Sequence, residues 1–163
     1  MTIFVISDTH FGHAGIIKYC NRPFESVPEM DYAMIDRWNA VVGEEDTVIH
    51  NGDFQFYKKD TGIFNCLKGH KILVKGNHDH SATRNMGWES IHDVMEITHN
   101  SKKVVFCHYP FETWNNAFHG SVHLFGHTHT TPITEIKNRF NICVEYINYT
   151  PQNLDRYTKE VTI

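Results

Sequence analysis

Short apolar runs in this chain end repeatedly in side chains that bind cations or transfer protons. The clearest case is residues 72–74, an Ile-Leu-Val run typical of a buried strand. Gly76 follows it and permits a positive φ or a close approach of the backbone to a ligand. Asn77, His78 and Asp79 come next, so an amide, an imidazole and a carboxylate are delivered together. Taken alone, this pattern also fits a polar surface turn, which a Gly-Asn pair often marks.

The same arrangement occurs at four further strand ends. Asp8 and His10 follow the apolar residues 3–6, and their spacing of two places both side chains on one side of an extended segment. The other three ends carry Asp53, His108, and His127 with His129. A lone histidine of this kind is more often a satisfied core or surface group. Five such coincidences are not credible as chance, so we interpret the set as one site at the carboxyl edge of a sheet.

The donor types indicate which cations this site would bind. Carboxylate oxygen and imidazole nitrogen suit borderline divalent ions, so Mn²⁺, Fe, Zn²⁺, Co²⁺ and Ni²⁺ all remain open. Cys107 alternates with His108 and should point to the opposite face, so we do not count it as a ligand. The chain's 13 histidines point weakly in the same direction.

Strands and helices must alternate to hold these strand ends in place. We expect strands at 3–6, 47–50, 72–74, 91–99, 103–108 and 122–125, and three tail strands at 132–136, 140–146 and 155–163. Helices are expected at 14–19, 26–42, 60–67 and, briefly, from Ser81 to 86. The 26–42 helix should begin at a Ser26 capping box and end at Gly43. Its core face should comprise Met30, Ala33, Met34, Trp38 and Val41.

Composition limits the classes of protein to which this chain can belong. A length of 163 residues with 40% hydrophobic and 21% charged residues is ordinary for one globular domain. A net charge of −4 argues against an extended nucleic-acid surface. Four scattered cysteines without a C-x-x-C pair indicate reduced, mostly buried thiols of a cytoplasmic protein. No signal peptide or apolar run of about 18 residues is visible, so no membrane contact is expected.

Together, these blocks closely resemble the calcineurin-like metallophosphoesterase family. The family pattern reads D-x-H, G-D, G-N-H-[DE], a lone His and G-H-x-H, and all five blocks stand in this order between residues 8 and 129. Residues 54–56 are Phe-Gln-Phe, aromatic where many relatives carry an aliphatic residue, which bears on the pocket and not on the metals. The resemblance implies an α/β fold, a sandwich of two mixed β-sheets flanked by α-helices (αββα), in one domain over residues 1–163.

The resemblance also implies a binuclear metal centre. Asp8, His10 and His129 would hold one divalent ion, while Asn77, His108 and His127 would hold the other. Asp53 would bridge the two ions, and Mn²⁺ is favoured by the family. In such sites a bridging hydroxide attacks phosphorus in line while the ions stabilise the phosphoryl oxygens.

Catalytic and substrate-binding roles follow for a second set of residues. His78 would protonate the leaving oxygen or stabilise charge on the phosphoryl group, and Asp79 would orient its imidazole. His13 and Arg22 are candidates for contacts with substrate phosphate, although a hydrogen-bonded loop histidine and a solvated arginine are equally good interpretations. Four aromatic residues are candidates for a nucleobase pocket, with core packing as the alternative: Phe11, Phe54, Trp114 and Phe118.

Three classes of function stay open at this point. The first is a phosphodiesterase acting on a nucleotide or a related small phosphodiester, which we favour because alkoxide leaving groups need a proton such as that of His78. The second is a phosphomonoesterase acting on a phosphoprotein or a small metabolite. The third, a non-catalytic binding module, conflicts with the full set of ligands in the sequence. The natural substrate and the oligomeric state are not determined by the sequence.

Overall fold

The first of two β-sheets carries the strands that lead into the site. A computed structural model describes residues 1–59 and 62–159. The first sheet contains β1 (Ile3–Ile6), β2 (Thr47–His50), β3 (His70–Val74), β4 (Ser90–His92) and β9 (Gln152–Asn153) in the order β4-β3-β2-β1-β9. β1 to β4 are parallel and β9 is antiparallel to β1, so the carboxyl ends of four strands lie along one edge.

The second sheet is also mixed and has the order β5-β6-β7-β8. Its strands are β5 (Val94–His99), β6 (Lys102–Cys107), β7 (Val122–Phe125) and β8 (Arg139–Asn141). β5 and β6 form the hairpin expected at Asn100 and Ser101, which both have positive φ. β6, β7 and β8 are parallel, so His108 and the residues after β7 leave this sheet at the same edge.

Side chains from the facing surfaces of the two sheets form one apolar core. Val5, Ile49 and Val74 of the first sheet belong to the same buried cluster as Phe106 and Leu124 of the second. These strands are buried on both faces, and for this reason their sequences are continuous apolar runs in which polar residues do not alternate. The expectation of two mixed sheets flanked by helices is therefore confirmed.

Helices cover the outer face of the first sheet. They are α1 (Ala14–Tyr19), α2 (Val27–Val41), α3 (Ile63–Cys66) and α4 (Ser81–Arg84), whereas α5 (Asp155–Thr158) follows β9 and packs Tyr157 against the core between the sheets. A second apolar cluster joins β1 and β2 to α2 through Phe4, Val48 and Trp38, among others. Of the helices within the described residues, none has the length and apolar character needed to span a membrane.

The capping signal of α2 was predicted correctly, but its last turn was not. The Ser26 hydroxyl accepts the Glu29 N–H at 3.3 Å, as a capping residue should. Met30 and Trp38 are buried as expected. Val41 is 41% exposed. The chain becomes extended at Val42, so the Val42 side chain enters the core in place of Val41.

Residues 91–99 form two strands where one was predicted. β4 pairs with β3 in the first sheet, whereas β5 pairs with β6 in the second, and the chain crosses between the sheets at Asp93. The crossing resets the alternation, so Ile91 and Val94 are both partly exposed while Ile97 packs against the core between the sheets.

The predicted tail strands were largely wrong. Residues 132–136 have no regular structure, and the strand predicted at 140–146 is limited to β8 plus one isolated pairing between Ser7 and Cys143. Turns follow, and the predicted strand 155–163 begins instead with α5, whose first N–H is accepted by the Asn153 side chain at 2.8 Å. Residues 160–163, and the predicted start of the 60–67 helix at residues 60 and 61, lie outside the described residues.

Candidate metal centre

The carboxyl ends of four strands bring five of the predicted ligands together. Asp8 and His10 follow β1, Asp53 follows β2, His108 follows β6 and His129 follows β7. The first four are buried, and the His129 side chain is 16% exposed. Two sheets therefore contribute to one cluster, at the edge where all the parallel strands end.

The ligand loops adopt backbone conformations that are rare for residues with a side chain. Five predicted ligands have positive φ between 45° and 67°: Asp8, His10, Asp53, His127 and His129. Each such conformation costs on the order of 1 kcal/mol or more and persists only where the surrounding structure enforces it. Strain concentrated on the predicted ligands marks this edge of the sheets as the functional region.

One group of potential ligands contains Asp8, His10 and His129. The donor atoms of these three residues all lie within 4.8 Å of one another. The Asp8 Oδ1 atom lies 3.8 Å from His10 Nε2 and 3.5 Å from His129 Nε2. These are the three residues that the sequence assigned to one ion.

A second group contains Asp8, Asp53 and His108. The Asp53 Oδ2 atom lies 3.5 Å from His10 Nε2 and 3.4 Å from His108 Nε2. Asp53 therefore stands between a histidine of the first group and a histidine of the second, which is the position that a bridging carboxylate requires.

The donor set fits divalent cations. Three buried ring nitrogens have no hydrogen-bond partner among the described residues: Nδ1 and Nε2 of His10, and Nε2 of His108. The separations of 3.4 to 3.8 Å from the carboxylates are too long for hydrogen bonds. Buried carboxylates and imidazoles that converge without hydrogen bonds are costly unless a cation binds between them.

Two glycines in the ligand loops are required by close packing against the carboxylates. A Cβ atom at Gly76 would collide with Oδ1 of Asp53, and one at Gly126 would collide with Oδ2 of Asp8. The glycines that precede Asn77 and His127 thus allow the loops to approach the carboxylates directly.

Electrostatic coupling keeps both carboxylates of the cluster ionised. Although burial opposes the charge, interaction with His10 and with the neighbouring histidines holds the pKa of Asp8 well below its usual range. The pKa of Asp53 is lowered too, since its attraction to His108 outweighs the effect of burial. Burial opposes protonation of His108 and His129, yet Asp53 raises the pKa of His108 to about 9. Cys20, Glu145 and Asp8 raise the pKa of His129 to about 10.

Asn77 and His127, the other two predicted ligands, lie at the open side of the cluster. Both residues are exposed, and the Asn77 side chain makes no hydrogen bond to any described residue. His127 contributes its backbone N–H to Asp8 Oδ2 at 3.0 Å, and its ring lies 5.2 Å from that of His108. The His127 side chain is not part of either ligand group.

His78 and Asp79 occupy different surroundings although they are adjacent. The His78 N–H donates to Asp53 Oδ1 at 2.8 Å, and the His78 ring lies 5.6 Å from that of His10. Asp79 is buried, and its carboxylate accepts the N–H groups of Asp53 and Gly76 at 2.8 Å, and that of Phe54 at 2.9 Å. Asp79 thus ties the loop after β2 to the loop after β3, and its oxygens are directed at the backbone and not at the His78 ring.

His13 and Arg22 also differ in position. The His13 ring stacks on Phe56 at 3.9 Å and lies 5.4 Å from the His10 ring. Burial, with a further contribution from His10, lowers the pKa of His13 to about 4. Arg22 is 4% exposed and is neither a solvated arginine nor open to substrate, because its guanidinium donates to the Asp8 and Thr9 carbonyls and to Glu145.

The predicted nucleobase pocket does not form. Phe11 and Phe54 are fully buried core residues, and Trp114 is buried with its Nε1 donating to the Ser121 hydroxyl. Phe118 is 93% exposed on a separate turn, Ala117–His119. Two exposed aromatic residues lie beside the cluster: Phe56, 5.7 Å from the His78 ring, and Tyr109, 5.3 Å from the His108 ring.

Two supporting residues were missed by sequence reasoning. Glu145 lies 3.1 Å from His129 Nδ1, and the Cys143 thiol donates to Asp8 Oδ2 at 3.2 Å. Neither stands in a ligand motif, and their only signal is the apolar run 142–144 that returns the tail to β1. All four cysteines are free, but only Cys107 and Cys143 are buried, fewer than expected.

Comparison with known proteins assigns the chain to a class. A family profile described as the calcineurin-like phosphoesterase superfamily domain matches residues 1–147. The chain therefore belongs to the calcineurin-like phosphoesterase superfamily, a family of metal-dependent hydrolases of phosphate esters. The resemblance stated from the motifs is confirmed.

The chain is also similar to individual proteins. The chain is 35% identical to an uncharacterised protein of Methanocaldococcus jannaschii, covering 96% of this chain and 89% of that protein. A shorter match, 33% identical, covers 45% of this chain and 37% of the gene 66 protein of Mycobacterium phage L5. A solved protein of unknown function from Aquifex aeolicus shares the fold, with a TM-score of 0.77, 23% identity and coverage of 96% and 97%.

Proposed function

We propose that this protein is a metal-dependent phosphodiesterase that acts on a nucleotide or a related small phosphodiester. The observation that carries the proposal is the position of Asp53 between His10 and His108, in a cluster where two ligand groups overlap. Overlapping groups with a shared carboxylate are the arrangement that a pair of cations needs.

The ligand roles proposed from the sequence remain compatible with this geometry. Asp8, His10 and His129 would hold one ion, and Asp53 with His108 would hold a second. Asn77 and His127 would complete the second set by turning their exposed side chains inward. Divalent ions bound there, Mn²⁺ being favoured, would lower the pKa of an attacking water and offset charge on the phosphoryl oxygens.

His78 is proposed as the proton donor to the leaving oxygen. Its backbone bond to Asp53 fixes its distance from the ligands, and its ring is partly exposed beside the His10 ring. Asp79 would act on His78 indirectly, since its carboxylate fixes the backbone of both loops. A proton donor matters most for a diester, whose alkoxide leaving group departs poorly without one.

The rings of Phe56 and His13 form an aromatic surface on which a planar leaving group could stack. The two rings are stacked at 3.9 Å with an angle of 8° between their planes, beside the cluster and partly open to solvent. An aromatic platform of this kind can stack a base and is tolerant of which base it meets. Free cysteine thiols accord with a reducing cytoplasm as the proposed location.

Hydrolysis of bis-p-nitrophenyl phosphate, compared with p-nitrophenyl phosphate, tests the proposal. Metal-stripped protein would be supplied in turn with Mn²⁺, Ni²⁺, Zn²⁺ or Mg²⁺. We expect metal-dependent turnover that favours the diester. Preference for the monoester would instead identify a phosphomonoesterase, and folded, metal-loaded protein without turnover of either ester would identify a binding module.

A further inference from the structure

Glu145 lies behind the metal centre, on the side of His129 away from Asp8. Its side chain is only 5% exposed, and its Oε1 atom lies 3.1 Å from Nδ1 of His129. The other ring nitrogen of His129, Nε2, lies 3.5 Å from Asp8 Oδ1 within the first ligand group. The imidazole is therefore placed between the carboxylate of Glu145 and the carboxylate of Asp8.

Arg22 holds Glu145 in this position. The same Oε1 atom accepts from Arg22 Nε at 2.9 Å and lies 2.8 Å from Nη2. Arg22 also donates to the carbonyls of Asp8 at 2.7 Å and Thr9 at 2.8 Å, so it fixes Glu145 relative to the loop that carries the first two ligands. The Arg22 side chain is 0% exposed, so its buried positive charge requires a negatively charged partner, and Glu145 is that partner.

This arrangement has a consequence for the protonation of His129. An ionised carboxylate can only accept hydrogen bonds, so the bond to Glu145 requires a proton on Nδ1. A neutral imidazole has one proton, and Nε2 must then present its lone pair to the ligand group. Carboxylates that bond the distal nitrogen of a metal-binding histidine fix its tautomer and its orientation in this way.

We propose that Glu145, held by Arg22, is a positioning residue that selects the Nδ1–H tautomer of His129 and so makes Nε2 the metal ligand. This inference rests on the proposed metal-binding role of His129. It gives Arg22 a supporting task behind the ligand loop in place of the substrate contact expected from the sequence.

A different assignment, in which Glu145 itself binds a cation, fits the contacts less well. Cys20, His129 and Glu145 also bring donor atoms within 4.8 Å of one another. However, two nitrogens of Arg22 already lie on the Glu145 oxygen that faces His129, so that oxygen is engaged by a fixed positive charge. A second cation at this point would be repelled by the guanidinium.

Glu145→Ala and Glu145→Gln, each loaded with Zn²⁺, test the inference without measuring turnover. Zn²⁺ affinity would be measured by competition with a chelator, and long-range ¹H–¹⁵N NMR correlations would identify which His129 nitrogen carries the proton. We expect Nδ1–H in the natural protein and an affinity about 10- to 100-fold weaker in Glu145→Ala. Glu145→Gln should recover part of this loss, because its amide oxygen can still accept from Nδ1.

Glu89→Gln and Glu89→Ala are the matched controls. Glu89 makes a similar bond to a histidine, 2.8 Å to His70 Nδ1, but this pair is about half exposed, and His70 begins β3 at the end opposite the ligand loop. Both control variants should bind Zn²⁺ as the natural protein does.

Three results would overturn the inference. One is natural protein in which Zn²⁺ occupies Nδ1 of His129, and another is Glu145→Ala with lowered thermal stability but unchanged affinity. The third is a Cys20→Ser variant that loses as much Zn²⁺ affinity as Glu145→Ala, since that would make Cys20, His129 and Glu145 a separate ligand group. Failure of the proposed activity is distinguishable, because it would appear as metal-loaded protein that hydrolyses neither ester.

Discussion

The two halves of the proposed metal centre differ in how their candidate ligands are supported. In the braced half, formed by Asp8, His10 and His129, the Asp8 carboxylate accepts the Cys143 thiol and the backbone N–H of His127. His129 is bonded to Glu145 on its outer side. The side chains of Asp8 and His129 are therefore held in place by hydrogen bonds with neighbouring residues.

The open half is formed by Asp53, His108, Asn77 and His127. His108 is buried and bonded to the Asn51 carbonyl through Nδ1 at 2.9 Å, but the Asn77 and His127 side chains are exposed. In the proposed centre, the ligands for one ion lie close together and are supported by neighbouring groups, whereas the exposed Asn77 and His127 would complete the other set. Preorganised ligands cost less to bind, so we expect the braced half to bind the tighter ion and the open half to receive the substrate.

The largest expected effect comes from removing the charge that the two halves share. Asp53→Asn keeps the size of the side chain but loses the carboxylate that lies between His10 and His108. We expect both metal affinities to fall and diester turnover to drop by about 10⁴-fold or more. Metal content after dialysis and initial rates would measure this.

Asp93→Asn is the control for that substitution, because Asp93 is a surface carboxylate, 85% exposed, paired with Lys75. It should keep full metal content and turnover. If Asp53→Asn retained both ions at natural affinity, Asp53 would not be a carboxylate that the two halves share.

A smaller effect is expected from His78, which contacts both halves without belonging to either. His78→Gln should keep both ions, since only its backbone bonds Asp53, and should lower diester turnover by about 10²- to 10⁴-fold through loss of proton transfer. His80→Gln is the control variant, because His80 is an exposed histidine two positions further along the chain. Loss of metal from His78→Gln would show that His78 is a ligand and that its proposed role is wrong.

The difference between the halves can be tested directly by pairing two alanine variants. His127→Ala should weaken the second ion by about 10- to 100-fold and leave the tighter ion unchanged. His129→Ala should weaken the tighter ion instead. Titration with Mn²⁺, followed by the electron paramagnetic resonance of the free ion, would resolve the two affinities. If the two variants gave the same titration curve, the halves would be equivalent.

The positions of several proposed ligands could be predicted because each stands directly after a local signal. An apolar run, a tight turn and a ligand within a few residues are sufficient to place Asp8, His10 and Asp53 at one edge of a parallel sheet. The supporting residue Glu145 could not be predicted, since its role depends on a tail that returns to β1 through turns without a repeating pattern. Arg22 was misjudged for the same reason, because its partner is distant in sequence.

Errors in the fold prediction have similar causes. The pattern of apolar residues in 91–99 does not reveal that the chain passes from the first sheet to the second at Asp93. Residues 155–163 alternate in polarity like a strand in the sequence, yet a helix begins at Asp155, whose N–H donates to the Asn153 side chain. The first error comes from a change of sheet and the second from a local side-chain bond, and a pattern averaged over several residues reveals neither.

The smallest expected effect concerns His50, which supports the braced half from within the core. The Thr9 hydroxyl donates to the Phe54 carbonyl at 2.6 Å, so it accepts at 3.0 Å from His50 Nε2. The other ring nitrogen, Nδ1, is buried and has no hydrogen-bond partner among the described residues. Protonating Nδ1 would bury an unpaired charge, and burial accordingly lowers the pKa of His50 to about 3.

The sign of the resulting pH dependence follows from this depressed pKa. In the unfolded chain His50 takes up a proton near its ordinary pKa of about 6.5, while the folded protein excludes it down to about 3. Stability from neutral His50 is therefore complete above pH 6.5 and is lost as the pH falls, by up to about 1.4 kcal/mol per pH unit. Urea unfolding of chelator-treated protein between pH 7 and pH 5 should show this slope in the natural protein and a shallower one in His50→Gln. Equal slopes would mean that His50 does not hold the Asp8–His10 loop through a neutral ring.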